Sequence, residues 1–169
     1  SPQFQLKLFE EIEANGKDLG LKLYGSRALM SLRLEKNWGV WTMDFRPDFT
    51  AVESGLDTFI NWDKNFIGKE STLSEKKQGP KKKLVTMTID TEDIDVTNDE
   101  AILKDKKCVG YITSGGYAHH VKKSMALGYV PIELSKHNTT LDVEINGKLY
   151  LANVTDRPLY DSNGGRMKN

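Results

Sequence analysis

The sequence predicts an α+β fold in two parts: a helix-bearing part over residues 1–78, then an all-β part over residues 79–169. Three observations predict it. Two early segments carry apolar residues at helical spacing. Beyond residue 83 the chain breaks into short β-rich runs separated by turn residues. Between these regions lies Lys76–Lys83, KKQGPKKK, in which Gly79-Pro80 cannot continue a helix and the lysines call for solvent. A charged linker explains that stretch better than an anion or nucleic-acid patch, and it marks the boundary.

In chain order, Pro2 to Asn15 reads as an amphipathic helix. Phe4, Leu8, Phe9 and Ile12 lie on one face, Glu10, Glu11 and Glu13 face water, and Gly16 is placed to cap the end. Leu19, Leu21 and Leu23 alternate as in a short strand. Gly25 to Glu35 is a second helix, with Ser26 as N-cap and Ala28, Leu29 and Leu32 as its apolar stripe. Lys36 to Glu53 follows as a long irregular segment holding Trp38, Trp41, Phe45 and Phe49, and loops of that length and aromatic content are functional or packed over a core. Gly55 to Trp62 reads as a strand and Ile67 to Lys77 as a short helix.

The second part offers Leu84–Ile89, Cys108–Thr113, Ser124–Val130, Thr140–Ile145 and Tyr150–Val154 as strands. Asn146-Gly147 is a two-residue hairpin turn between the last two. Short strands at close spacing with no helix between them predict a small antiparallel barrel or sandwich.

Charge and cysteine content limit the function classes. Lys plus Arg number 24 and Asp plus Glu number 24, so no net field gathers nucleic acid or an anionic membrane. No apolar run reaches the roughly 18 residues of a membrane span. One cysteine, Cys108, excludes an internal disulfide; in its apolar strand it reads as a core thiol, which suits a reducing compartment. The first residue is Ser1, without Met or signal peptide, and we expect the chain to begin within a longer protein.

No nucleophile elbow, P-loop or dinucleotide fingerprint is present. His119-His120 does not make a metal site, because adjacent residues point different ways and no further ligand stands at suitable spacing. Gly115-Gly116 offers either an anion nest of amides or positive φ in a turn between strands, and the second is the plainer reading. Arg33 borders an apolar stripe. It can snorkel, pair with a carboxylate, or clamp a polar ligand bidentately. With Trp38 and Trp41 close behind, it forms a candidate site for an anionic heteroaromatic ligand.

Four segments carry a resemblance. Thr113–Pro131 (TSGGYAHHVKKSMALGYVP) looks like a Thr-Ser-Gly turn leading to a small-apolar-Gly-Tyr-Val strand. Ser26–Trp41 (SRALMSLRLEKNWGVW) looks like a helix ending in Leu-Arg-Leu-Glu before an aromatic loop. Val52–Leu73 (VESGLDTFINWDKNFIGKESTL) and Arg157–Lys168 (RPLYDSNGGRMK) complete the set. Together they resemble the aminomethyltransferase family, the glycine cleavage T-protein and its relatives. Phe66-Ile67-Gly68-Lys69-Glu70 and Leu159-Tyr160-Asp161 resemble the C-terminal folate domain of dimethylglycine and sarcosine dehydrogenases.

The resemblance implies that residues 1–78 are the later part of an α/β folate-binding unit and residues 79–169 a C-terminal β-barrel. It implies oxidation of an N-methyl group at FAD in a domain absent from this chain, and capture of the carbon by tetrahydrofolate. It implies that Arg33 contacts folate, that Trp41 is the aromatic residue of the loop, and that Glu35 supports the arginine. Gly110, Thr113, Ser114 and Gly115 match the barrel signature as structural residues. The family's aspartate, and the tyrosine and glutamate that hold the pterin, lie upstream of what Ser1 matches. The implied partner is therefore the preceding part of the same protein, and these residues alone are expected to have no turnover. Thr42 stands where the family has Gly, and Ala118-His119-His120 where it has a Ser-Pro turn. A free-standing aminomethyltransferase, a folate-dependent demethylase and a non-catalytic folate- or partner-binding module remain alternatives. The implied compartment is the bacterial cytoplasm or the mitochondrial matrix.

Overall fold

The computed structural model describes residues 1–168. Helix α1 spans Gln5–Gly16, α2 Ser26–Glu35, α3 Lys69–Gln78 and α4 Gly165–Lys168. Six strands follow α3: β1 (Lys82–Ile89), β2 (Ala101–Lys104), β3 (Lys107–Ala118), β4 (Lys123–Pro131), β5 (Thr140–Ile145) and β6 (Lys148–Thr155). They close into an antiparallel barrel in the order β1-β4-β3-β2-β5-β6, with β6 returning to β1. This is the expected α+β architecture with a small barrel. Closure removes the exposed sheet edges that would otherwise template aggregation.

The barrel is filled by Met87, Ile102, Ile112, Ala126, Val130, Leu141, Val143, Ala152 and Val154, with Val96 from the loop after β1. Strand β5 shows plain alternation, with Leu141, Val143 and Ile145 buried. Strand β4 differs, being buried continuously from Ser124 to Val130. Ala126 and Val130 point into the barrel, while Met125, Leu127 and Tyr129 take the opposite face. That face is buried because α2 and the loop after it pack on β3 and β4.

Strand β3 is irregular. Opposite β4, Ile112 pairs with Gly128 and Ser114 with Leu127, so Thr113 is an extra residue, a bulge. A second register shift, opposite β2, pairs Ile102 with Gly110 and Leu103 with Cys108, skipping Val109. Val109 packs on the core and Cys108 is exposed, contrary to the core thiol expected. Gly115 and Gly116 lie inside β3 rather than in a turn. A Cβ on Gly115 would sit 2.7 Å from the Val96 carbonyl and 2.8 Å from that of Thr97, so close approach, not positive φ, requires glycine there.

Other expectations change as well. Gly55–Trp62 forms turns around a 3-10 helix at Asp57–Phe59, because Gly55 takes φ 69° and a turn follows at once. Leu19–Leu23 is no strand: a 3-10 helix, Lys17–Leu19, runs into Gly20 at φ 77°. Gly25, not Ser26, is the N-cap of α2. Leu29 and Leu32 are exposed, and the buried part of α2 is its last turn, Arg33, Leu34 and Glu35; one turn earlier the helix touches β3 through the Ser31 hydroxyl, which donates to the Tyr117 carbonyl. The apolar face of α1, with Leu8, Phe9 and Ile12, is exposed along with Phe4 before it.

Candidate functional site

Three consecutive residues at the end of α2 reach into the protein. Leu34 packs there as an apolar side chain, while Arg33 (5% exposed) and Glu35 (1% exposed) are buried charges. Buried charges require partners. Each finds a different set.

Arg33 turns to the aromatic loop. Its Nη1 donates to Asp44 Oδ2 at 2.8 Å and to the Trp38 carbonyl at 3.2 Å. Its Nε is enclosed without a partner among the described residues. Asp44 is fully buried, and its carboxylate accepts two further bonds, from the Val40 N–H at 2.8 Å and from the Thr113 hydroxyl at 2.5 Å. The Leu127 carbonyl lies 3.2 Å from the same hydroxyl, but its one hydrogen belongs to the nearer, charged acceptor. The bulge at Thr113 aims this side chain out of the barrel wall.

The Tyr129 hydroxyl donates to the Asp44 carbonyl at 2.9 Å and stands 2.7 Å from Ser54 Oγ, which supplies the hydrogen between them. The Tyr129 ring stacks on Phe49 with centroids 3.5 Å apart and planes 7° from parallel. Burial pushes the phenol up to about 12; the Ser54 hydrogen bond pulls against this, and the Asp44 and Glu53 carboxylates add to it. Glu53 ties the loop to β1, accepting from the N–H groups of Thr50 and Lys82.

Glu35 turns to the β3–β4 connection. Its Oε1 accepts the backbone N–H of His120 at 2.6 Å and of Val121 at 3.2 Å, and its Oε2 is enclosed without a partner among the described residues. The carbonyl of Glu35 accepts from Tyr160 N–H, and Lys36 binds the Asp161 carboxylate at 3.1 Å, which laces the C-terminal tail to the end of α2. Burial opposes ionisation of Asp161, yet hydrogen bonds from Lys36 and the Arg166 N–H hold its carboxyl below the usual range.

Trp41 is 72% exposed and Trp38 about half exposed. The loop beneath them is ordered by its own bonds. Asp44 and Phe45 N–H both reach the Val40 carbonyl, Thr42 N–H reaches the Phe45 carbonyl, and Trp41 meets Phe45 edge-on at 5.6 Å. Thr42 makes this turn at φ 71°, unusual for a β-branched residue. Of the three residues singled out from sequence, Arg33 and Trp41 are thus joined through one loop, and Glu35 serves the turn behind them. Asp44, Tyr129 and Ser54 were missed. An aspartate inside an aromatic loop that follows an Arg-bearing helix was the available signal for the first.

Two indoles thus stand exposed on an ordered loop, and the Arg33 guanidinium lies beneath it with its side chain only 4% exposed. Among the described residues, no group of three or more His, Cys, Asp or Glu is arranged to hold a metal ion, and no helix is long and apolar enough to cross a membrane.

Comparison with known proteins gives one answer. Residues 82–161 match the profile of the glycine cleavage T-protein C-terminal barrel domain, and residues 1–64 that of the GCVT N-terminal domain. Dimethylglycine dehydrogenase, mitochondrial, of Mus musculus is 38% identical over 154 residues, covering 90% of this chain and 18% of that protein. An aminomethyltransferase of Desulfitobacterium hafniense is 32% identical over 164 residues, covering 96% of this chain and 45% of that protein. The chain therefore spans less than half the length of these curated relatives. The crystal structure of glycine cleavage system aminomethyltransferase T from Bartonella henselae superimposes with a TM-score of 0.80 at 24% identity, covering 94% of this chain and 44% of that one, and shares its fold. With both T-protein profiles matched in chain order, over residues 1–64 and 82–161, this chain belongs to the glycine cleavage T-protein, or aminomethyltransferase, family.

Proposed function

We propose that these residues form the later part of a folate-binding unit for one-carbon transfer, within a flavin-dependent dehydrogenase of dimethylglycine or sarcosine. The observation that carries this reading is the 38% identity to a dimethylglycine dehydrogenase, which runs through both parts of the chain. Tetrahydrofolate, when bound, supplies the amine nitrogens that accept the carbon. Trp41 and Trp38, exposed on the same loop, offer indole faces to the planar ring. Arg33, bound to Asp44 and only 4% exposed in its side chain, keeps its unpartnered Nε for that ligand, and Glu35 fixes the end of α2.

In this reading the flavin and the proton-handling carboxylate belong to preceding segments of the same protein. The exposed apolar face of α1, with Leu8, Phe9 and Ile12, supports a partner of that kind. The balanced charge argues against nucleic acid or an anionic membrane as partner. The compartment we propose is the mitochondrial matrix or the bacterial cytoplasm.

A second reading, a free-standing aminomethyltransferase or demethylase, draws on the 32% identity over 96% of the chain. An intact protein of roughly 800 residues with a dinucleotide fingerprint near its start fits the first reading, and one of about 370 residues the second.

The test is calorimetric titration of the intact protein with tetrahydrofolate, beside its Trp41→Ala variant. Trp41 is exposed, so its loss leaves folding intact. We expect binding in the parent and a loss of about 1 kcal/mol in the variant, the scale of one aromatic stacking contact. Equal affinities would remove Trp41 from the site. Folate binding without carbon transfer would favour a binding module.

A further inference from the structure

We infer that Asp44 is a positioning residue that holds the Arg33 guanidinium and the indole-bearing loop as one unit and anchors that unit to the barrel. The ligand half of this inference rests on the reading of Arg33 and Trp41 as folate contacts; the positioning half does not.

Four donors from four parts of the chain converge on Asp44. Arg33 comes from the end of α2, Val40 from the loop itself, Thr113 from the bulge in β3 and Tyr129 from β4. Three reach the carboxylate and the fourth its carbonyl; those from Arg33, Thr113 and Tyr129 are buried and that from Val40 half-buried. The Asp44 N–H closes the turn on Val40. Charge-assisted bonds in a dry environment are strong and directional.

Each donor is itself fixed. The bulge commits Thr113 to point outward, and the Phe49 stack orients the Tyr129 ring. The tip of the loop is exposed while its stem is clamped from both sides. Such preorganisation lowers the entropy lost when a ligand is bound. Two barrel hydroxyls, Thr113 and Tyr129, therefore control how Trp41 is presented, acting through Asp44.

The experiment is hydrogen exchange by mass spectrometry on the intact protein, with Thr113→Val, Thr113→Ser and Tyr129→Phe. Thr113→Val keeps shape and removes the donor; Thr113→Ser restores it; Tyr129→Phe keeps the stack. We expect exchange across residues 38–45 to rise about tenfold in Thr113→Val and Tyr129→Phe, as for the loss of one hydrogen bond to a charged group or its loop, and to stay near the parent rate in Thr113→Ser. The β5–β6 hairpin should not change. Tetrahydrofolate affinity should fall about tenfold in Thr113→Val and recover in Thr113→Ser. Unchanged loop exchange in both donor-deleted variants overturns the inference, as does equal acceleration throughout the barrel. Faster loop exchange in a protein whose parent form binds no tetrahydrofolate upholds the positioning role and overturns the folate reading alone.

Discussion

The Arg33 guanidinium and the Asp44 carboxylate meet at 2.8 Å with side chains only 4% and 0% exposed. Removing two charges from water is costly, and the pair persists because Val40, Thr113 and Trp38 supply further hydrogen bonds, leaving only Arg33 Nε enclosed without a partner among the described residues. Breaking it from one side strands a charge. Asp44→Leu should lower the free energy of unfolding in urea by about 3–5 kcal/mol, and adding Arg33→Met should recover much of that loss. Additive losses would show that the two charges are not coupled.

Thr42 turns the aromatic loop at φ 71°. A left-handed conformation costs an L-residue roughly 1–2 kcal/mol, and glycine returns about 0.5–1 kcal/mol of that through the entropy of the unfolded chain. Thr42→Gly should raise stability by ~0.5–1 kcal/mol. A lower melting temperature would mean that the threonine side chain contributes packing that outweighs the strain.

Gly110 passes against β4 so closely that a Cβ would stand in the Tyr129 backbone carbonyl. Backbone cannot yield as a side-chain tip can. Gly110→Ala should destabilise the barrel by at least the ~1–3 kcal/mol of an overpacked core site. An unchanged denaturation midpoint would mean that β3 and β4 can separate locally without loss.

Tyr129 gives a pH signature. Its phenol ionises near 12 in the folded protein and near 10 when unfolded. Between those values the unfolded chain loses its proton first, so the stability present below pH 10 is progressively lost as pH rises to 12. The span corresponds to about 2–3 kcal/mol. In Tyr129→Phe the alkaline fall in stability should be shallower by that amount; identical slopes would place the alkaline transition elsewhere.

What the sequence disclosed follows from the range of the interactions. The β5–β6 hairpin was legible because Asn146 and Gly147 adopt φ 50° and 77°, conformations those residues accept readily. Strand β2 was not. Its turn into β3 uses Asp105 and Lys106 at φ 50° and 64°, with no glycine or asparagine to announce it. For Arg33 the sequence leaves three roles open, snorkelling, pairing with a carboxylate and clamping a ligand; it pairs with Asp44, and the burial of that turn depends on barrel strands far along the chain. Asp44 carries only a faint local mark, its place in an aromatic loop after an Arg-bearing helix, because two of its partners come from positions 113 and 129. The glycines at 115 and 116 were recognised, but the reason for Gly115 is a neighbour, Val96, that only the closed barrel brings near. Cys108 was misplaced because the skipped Val109 reverses the alternation of its strand.

The most direct test of the folate reading is calorimetric titration of the 169-residue chain with tetrahydrofolate, beside the same chain extended upstream through the rest of the T-protein-like unit. Binding by the longer protein, with none by the shorter, is the predicted result. It would mean that the ligand is held between the Trp41 surface and the preceding segment. Absence of binding by both would contradict the account and leave the Arg33–Asp44 unit as the support for a surface that recognises something other than folate.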